Sequence, residues 1–234
     1  MFFSPFLFWD PYFWLILVGL AITMWASWNV KSTFNRYATI PSHNNITGKE
    51  AAKLILEDAG IFDVTIQETS GELTDFYNPS DKTLNLSEPV YNSSSIAAIC
   101  VAAHEAGHAI QDAKAYIPMS FRSKIVPIVN FGANLSMPLI ILGVVLSFNQ
   151  VLIRAGILCF ALTLLFQIVT LPVEFNASNR ALKKVKMLGI INPNEYPAGR
   201  KVLFAAALTY VAAALSTFLQ LLRLILLFAD NDRN

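Results

Sequence analysis

Charged residues are scarce in this chain: they make up 14% of its 234 residues, whereas 55% are hydrophobic and the mean hydropathy is +0.50. Ordinary soluble domains carry about 25% charged residues, so this composition excludes that class and indicates a polytopic membrane protein. The net charge is only +1, and no basic stripe stands out along the sequence. We therefore expect no nucleic-acid partner.

Cysteine is also scarce, since Cys100 and Cys159 are the two in the chain. Both lie in apolar, helix-compatible sequence, which excludes a disulfide framework and agrees with a reduced cytoplasmic site. The first apolar run has no basic segment before it and no convincing cleavage pattern after it. We expect it to be a retained anchor and not a removed signal peptide.

The chain contains several long apolar runs. Four windows approach the roughly 20 residues needed to cross a bilayer, at 11–29, 128–148, 151–172 and 202–228. Basic residues cluster in the long segments between these windows, and the opposite side carries only Arg154 and Arg233. The positive-inside rule therefore places the long segments in the cytoplasm.

Only three histidines occur, His43, His104 and His108, and two of them belong to the sequence His-Glu-Ala-Gly-His at 104–108. Positions i and i+4 share one face of an α-helix, so both imidazoles can bind a single zinc ion. Glu105 projects about 100° away around the helix axis, where it can act as a general base on water instead of as a ligand. The alternative is a buried helix whose two histidines are purely structural.

A catalytic zinc ion usually has three protein ligands and an open fourth position. No further histidine follows His108, so we expect a carboxylate, and Glu174 is the preferred candidate because an acid beside so apolar a run needs a partner. Three alternatives stay open at this point. Glu174 can be an N-terminal acid of a helix beginning after Pro172, His43 can be the third ligand, and Cys100 can reach the metal face.

The segment before this motif predicts a small α+β unit. A capping box at Thr47 begins a helix that Gly60 ends, residues 64–68 predict a strand, and residues 73–77 and 83–87 predict a β-hairpin. Hydroxyl caps at 93–95 begin the helix of the motif, and the glycine at 107 within it predicts close approach of another element. We expect an exposed strand at Leu84 and Leu86 to bind an extended peptide at a sheet edge.

Five stretches carry a family resemblance: LTDFYNP (73–79), LNLSE (84–88), VAAHEAGHAIQ (101–111), LPVEFNAS (171–178) and AAALTYVAAAL (205–215). Together they resemble the YugP-like neutral zinc metallopeptidases, a family of bacterial membrane proteins, over most of the chain. The resemblance implies one zinc ion per chain with His104, His108 and Glu174 as ligands, and Glu105 as the catalytic acid/base.

The sequence departs from that family at three positions. Members tend to carry His and Asp where this chain has Phe76 and Asn78, and Asp where it has Asn176. A carboxylate that orients a ligand histidine is worth roughly 10- to 100-fold in metal affinity. We therefore expect weaker zinc binding or slower turnover, with Ser178 or Asn176 left to supply hydrogen bonds.

The expected fold is a mainly α membrane protein, with about four transmembrane helices plus a small α+β zincin-like extramembrane segment that carries the HExxH helix. Its expected parts are an N-terminal transmembrane anchor (1–29), a cytoplasmic zincin-like segment (30–125), a transmembrane hairpin (126–172), a cytoplasmic helix with the third ligand (173–201) and a C-terminal transmembrane helix (202–228).

The expected function is hydrolysis of peptide bonds by a zinc-activated water, with a glutamate as general base. Substrates are peptides or proteins, membrane proteins among them, and the site faces the cytoplasm of a bacterial cell. One alternative is a non-catalytic zinc-binding membrane scaffold or chaperone-like factor. A metal transporter is disfavoured, because the apolar windows carry no ionisable residues apart from Arg154 near a turn and Arg223, which we expect to snorkel to the membrane surface.

Overall fold

The computed structural model describes residues 10–229, so residues 1–9 of the predicted anchor and Arg233 lie outside it. The described part is mostly helical and contains one small sheet. Its elements in chain order are α1 (Trp14–Ala38), α2 (Gly48–Asp58), β1 (Thr65–Thr69), β2 (Phe76–Asn78), β3 (Thr83–Ser87), α3 (Glu88–Tyr91), α4 (Ile96–Ala113), α5 (Ile117–Val145), α6 (Gln150–Met187) and α7 (Tyr196–Ala229).

Four of these helices, α1, α5, α6 and α7, are long and apolar enough to cross a membrane. Each predicted window overlaps one of them, and residues 146–149 form the short connection predicted between the second and third windows. The prediction of a mainly α membrane protein with four spans and a small sheet is therefore confirmed. The domain boundaries given above stay predictions.

Helix α6 continues through Pro172, which was expected to mark the end of a span. A proline inside a helix removes one backbone hydrogen bond, but long apolar helices tolerate that loss where their neighbours support them. Glu174 is therefore an interior residue of α6. The alternative that it is an N-terminal acid of a helix beginning after Pro172 is wrong.

The chain divides into two compact units. The first comprises residues 10–26, 121–170 and 209–229, and the second comprises Ser27–Ser120 and Leu171–Leu208. Within the first unit, Arg223 donates from Nε to Asp10 Oδ2 at 3.0 Å, and both side chains are buried. Arg223 therefore has a buried carboxylate partner, whereas its expected reach to the membrane surface stays a prediction.

The second unit contains the three-stranded sheet, in the order β1-β3-β2. Strand β3 pairs in parallel with β1 and antiparallel with β2, so the predicted hairpin is confirmed. Leu84 and Leu86 lie on the central strand and are completely buried. The expectation of an exposed strand at these residues is wrong, since the free edges belong to β1 and to β2, where Phe76 is 48% exposed.

Helix α4 occupies the core of the second unit. From Ile96 to Gln111 its residues are buried, apart from the half-buried Val101. Helix α2 packs against it through Ala51, Ala52 and Ile55, after a capping box in which Glu50 N–H donates to Thr47 Oγ1 and Thr47 N–H donates to Glu50. The alanine-rich sequence of α4 has a physical reason, because small side chains allow elements to pack on every side of it.

Candidate metal centre

The two histidines of the motif lie on one face of α4, as the sequence predicts. The helix begins after Ser95, whose Oγ accepts a hydrogen bond of 3.2 Å from the backbone N–H of Ala98. Because His104 and His108 are one turn apart, their rings meet edge to face with centroids 4.7 Å apart. Both residues are buried, with exposed fractions of 9% for His104 and 8% for His108.

Glu174 reaches these rings because α4 and α6 approach closely. A Cβ atom placed on Gly107 would lie 2.7 Å from the carbonyl oxygen of Ala177. Carbon and oxygen atoms do not pack that closely, so only glycine permits this distance between the two backbones. The expected close approach at Gly107 is confirmed, and the element that approaches is the helix that carries Glu174.

Three ligand-type atoms then form a compact triangle. His104 Nε2 and His108 Nε2 are 3.2 Å apart, and Glu174 Oε2 lies 3.2 Å from the first and 3.4 Å from the second. Zinc binds such atoms at about 2.0–2.1 Å, and a tetrahedron of that size has edges of about 3.4 Å. The donor set and its spacing both fit a zinc ion.

The chemistry of these atoms also calls for a cation. The Nε2 atoms of His104 and His108 face each other at 3.2 Å, beside the carboxylate of Glu174. Their lone pairs repel each other unless a proton or a metal ion lies between them. Burial disfavours the charged form of His108, but the hydrogen bond and the negative charges of Glu174 and Glu105 outweigh burial and raise its pKa. The site is therefore electrostatically prepared for positive charge.

Each histidine has a partner for its second ring nitrogen. Gln111 Oε1 lies 3.0 Å from Nδ1 of His108, and Ser178 Oγ lies 3.1 Å from Nδ1 of His104. Ser178 and Asn176 were the residues expected from the sequence to supply these hydrogen bonds, whereas Gln111 was not expected. The signal was available, because Gln111 follows His108 by three residues on the same helix face.

Glu105 is the other charged group of the motif, and it is not among the three clustered atoms. It is buried, with 8% exposure, and lies near the carboxylate of Asp75. Burial raises the pKa of Asp75, hydrogen bonds from Ser87 oppose this shift, and the charge of Glu105 adds to it. Asp75 in turn accepts from the backbone N–H of Ser87 at 2.7 Å.

The alternative ligands do not join this cluster. His43 is exposed, and its backbone N–H donates to Glu195 Oε1 at 2.8 Å. Cys100 is buried against Gly199, and burial raises the pKa of its thiol to about 12. Within residues 10–229, His104, His108 and Glu174 form the one group of three or more His, Cys, Asp or Glu side chains spaced to bind a metal ion.

Comparison with known proteins agrees with this chemistry. The family described as "Putative neutral zinc metallopeptidase" matches residues 12–229. The chain is 44% identical over 221 residues to the "Putative membrane protease YugP" of Bacillus subtilis (strain 168), covering 94% of this chain and 98% of that protein. No solved structure matches. On the extent of both matches, the chain belongs to the family described as "Putative neutral zinc metallopeptidase".

Proposed function

We propose that this protein is a membrane-embedded zinc endopeptidase in which His104, His108 and Glu174 bind one zinc ion per chain and Glu105 is the general base. The observation that carries the proposal is the donor triangle, whose edges of 3.2, 3.2 and 3.4 Å match those of a tetrahedral zinc site. Membership in a zinc peptidase family supports the same reaction class.

The three ligands and Glu105 have separate roles in the proposed hydrolysis. A bound zinc ion lowers the pKa of water toward about 7 and polarises a carbonyl group. Glu105 follows a ligand directly in sequence and lies outside the triangle, so its carboxylate can take a proton from the attacking water and return it to the leaving amine. The low exposure of the site strengthens each of these charge interactions.

The number of ligands favours catalysis over a scaffold. Structural zinc sites are closed by four protein ligands, whereas catalytic sites have three and leave a position for water. In the part of the chain that the structure describes, three side chains cluster, and neither Cys100 nor His43 completes a fourth position. The non-catalytic scaffold or chaperone-like factor is therefore the less favoured alternative.

The proposal extends to the fold class and the orientation of the site. The small sheet has a short edge strand, β2, and precedes the HExxH helix, which supports a zincin-like arrangement. The proposed substrate is a peptide or protein. Most Lys and Arg residues of the chain lie in residues 30–125 and 173–201, and few lie on the opposite side of the predicted spans. This asymmetry supports a site that faces the cytoplasm of a bacterial cell. Cysteines substituted at Asn149 and at Glu68 should then label from opposite sides of the membrane, and labelling from the same side would contradict this topology.

The test of the proposed activity compares four purified proteins: the wild type, Glu105→Gln, Glu174→Ala and the control Glu68→Gln, which changes an exposed acid on β1. Zinc content and digestion of casein and of a membrane protein are measured for each. We expect Glu105→Gln to keep zinc and lose hydrolysis, Glu174→Ala to lose both, and Glu68→Gln to keep both. Hydrolysis by Glu105→Gln at the wild-type rate would refute the role of general base.

A further inference from the structure

Gln111 connects the ligand histidine His108 to helix α6. Its side chain is completely buried and makes three hydrogen bonds. The Oε1 atom lies 3.0 Å from His108 Nδ1, while Nε2 donates to the carbonyl oxygen of Val173 at 2.8 Å and to Asn176 Oδ1 at 3.1 Å. A buried amide with every group paired is held in one orientation.

The chemistry of its partners fixes which end of the amide faces the histidine. A backbone carbonyl only accepts hydrogen bonds, so the NH₂ group of Gln111 must face Val173. Arg180 only donates, and its Nε donates to Asn176 Oδ1 at 2.6 Å, so that atom of Asn176 is the oxygen and also requires a donor from Gln111. Both constraints are independent of the histidine, and both leave the acceptor Oε1 facing His108.

An acceptor at this position dictates the state of the ring. Nδ1 of His108 must carry a hydrogen to donate to Gln111, and the neutral ring then presents its Nε2 lone pair to the donor triangle. We propose that Gln111 is the positioning residue that fixes the tautomer and orientation of His108 for zinc, and that Val173, Asn176 and Arg180 of α6 hold Gln111 in place. This inference rests on the proposed function.

The other ligand histidine is held less strictly. Ser178 Oγ lies 3.1 Å from His104 Nδ1, and a hydroxyl group can donate or accept by rotating its hydrogen. Ser178 therefore orients the ring of His104 without selecting its tautomer. The two histidines differ in this respect although they lie on the same helix face, and the difference makes Gln111 the more consequential of the two partners.

The same network explains how an amide can serve at position 176. Its role is to present one oxygen to two donors, Gln111 Nε2 and Arg180 Nε, and an amide oxygen does so without a charge. The two side chains between Arg180 and His108, those of Asn176 and Gln111, are therefore both neutral amides. The guanidinium group of Arg180, which also lies 5.8 Å from the ring centre of Tyr116, ends the chain of hydrogen bonds.

The test uses Gln111→Met, which keeps the length of the side chain but removes its donors and its acceptor. The matched control is Ser95→Ala, which removes the N-cap of the same helix α4 and contacts neither ring. Zinc affinity is measured by chelator competition. We expect Gln111→Met to bind zinc roughly 10- to 100-fold more weakly than the wild type, and Ser95→Ala to lower the melting temperature with unchanged zinc affinity.

A second readout follows the proton itself. The chain has only three histidines, so ¹⁵N-histidine labelling gives a spectrum simple enough to assign. In the zinc-loaded wild type, the Nδ1–H of His108 should exchange slowly with water, because it is buried and hydrogen-bonded. The exchange should accelerate in Gln111→Met, whereas it should stay slow in Ser95→Ala and in the conservative Asn176→Asp, which keeps an acceptor for both donors.

The outcomes separate this inference from the proposed function. If the wild type binds no zinc, the proposed function fails and the role of Gln111 fails with it. If Gln111→Met binds zinc as tightly as the wild type, only the role of Gln111 is overturned. Equal weakening by Ser95→Ala would also overturn it, since the loss would then reflect helix stability and not the orientation of His108.

Discussion

Replacement of Gly107 by alanine tests whether the close packing of α4 on α6 creates the metal centre. The added Cβ would lie 2.7 Å from Ala177 O and 3.3 Å from both Ala177 C and Cα, whereas real Cβ atoms stay beyond 3.0 Å. The two backbones must therefore separate by at least 0.3 Å, the difference between 2.7 and 3.0 Å. Metal–ligand distances tolerate only about 0.2 Å, so the donor triangle cannot keep its shape.

Stability alone is the weaker measurement for this variant. Alanine in a helix interior gains about 1 kcal/mol over glycine, and overpacking against a backbone carbonyl costs about 1–3 kcal/mol. The two effects partly cancel, so we expect a small loss of unfolding free energy. Zinc affinity has no compensating gain, and we expect it to fall about 10-fold or more, as it does when ligand positioning is disturbed.

The control for this experiment is Gly156→Ala, which overpacks α6 against Ser136 O at 2.8 Å within the unit that does not contain the metal centre. Both variants are compared by thermal unfolding and by chelator competition for zinc. Gly156→Ala should lower the melting temperature and keep the zinc affinity of the wild type. Wild-type zinc affinity in a folded Gly107→Ala protein would refute the argument that helix separation sets the donor triangle.

Two further predictions concern the surroundings of the site. The pKa of Asp75 is raised above its usual 3.8 in the folded protein, so its contribution to stability is complete below pH 3.8 and is lost as the pH rises through the raised value. Asp75→Asn keeps an acceptor for Ser87 N–H but cannot ionise. As the pH rises from 3.8 through the raised pKa of Asp75, the melting temperature of this variant should therefore decline less than that of the wild type, and an equal decline would contradict this. Tyr77 Oη donates to Asp112 Oδ2 at 2.9 Å, and Tyr77→Phe should cost about 1.5 kcal/mol of unfolding free energy, with unchanged zinc content; loss of zinc would show that the hairpin also shapes the centre.

Local signals in the sequence predict much of this fold. The capping box at Thr47, the cap at Ser95, the hairpin around residues 78–81 and the four apolar windows each depend on neighbouring residues, and each appears where expected. The spacing of His104 and His108 predicts one half of the donor triangle for the same reason. Gly107 predicts a close contact because its cost to helix propensity has no local compensation.

Contacts between segments that are distant in the sequence could not be predicted from local patterns. Leu84 and Leu86 alternate as a half-buried strand does, but nothing local shows that β1 pairs with β3 in parallel and makes it the central strand. Pro172 is a helix breaker by local rules, yet α6 continues through it because tertiary packing outweighs the lost hydrogen bond. Arg223 pairs with Asp10, which lies 213 positions away, and no periodic pattern connects the two.

Glu174, the proposed third ligand, is an intermediate case, because its burial follows from the helical periodicity of α6 although Pro172 suggests that the helix ends before it. Its buried positions after Pro172 recur at helical spacing: Val173, Glu174, Ala177, Ser178, Ala181, Leu182 and Val185. Glu174 and Ser178 belong to this otherwise apolar stripe, which places both on the packed face of one helix. A buried carboxylate on such a face needs a positive partner, and a second element with two histidines at i and i+4 supplies the site for one. Residues 173–180 then provide the proposed ligand Glu174, a hydroxyl for His104, the acceptors that hold Gln111, and the carbonyl that requires Gly107. The two halves of the metal centre are therefore matched by one helix-to-helix contact, so a change on either helix that alters this contact should alter zinc binding before it alters the fold.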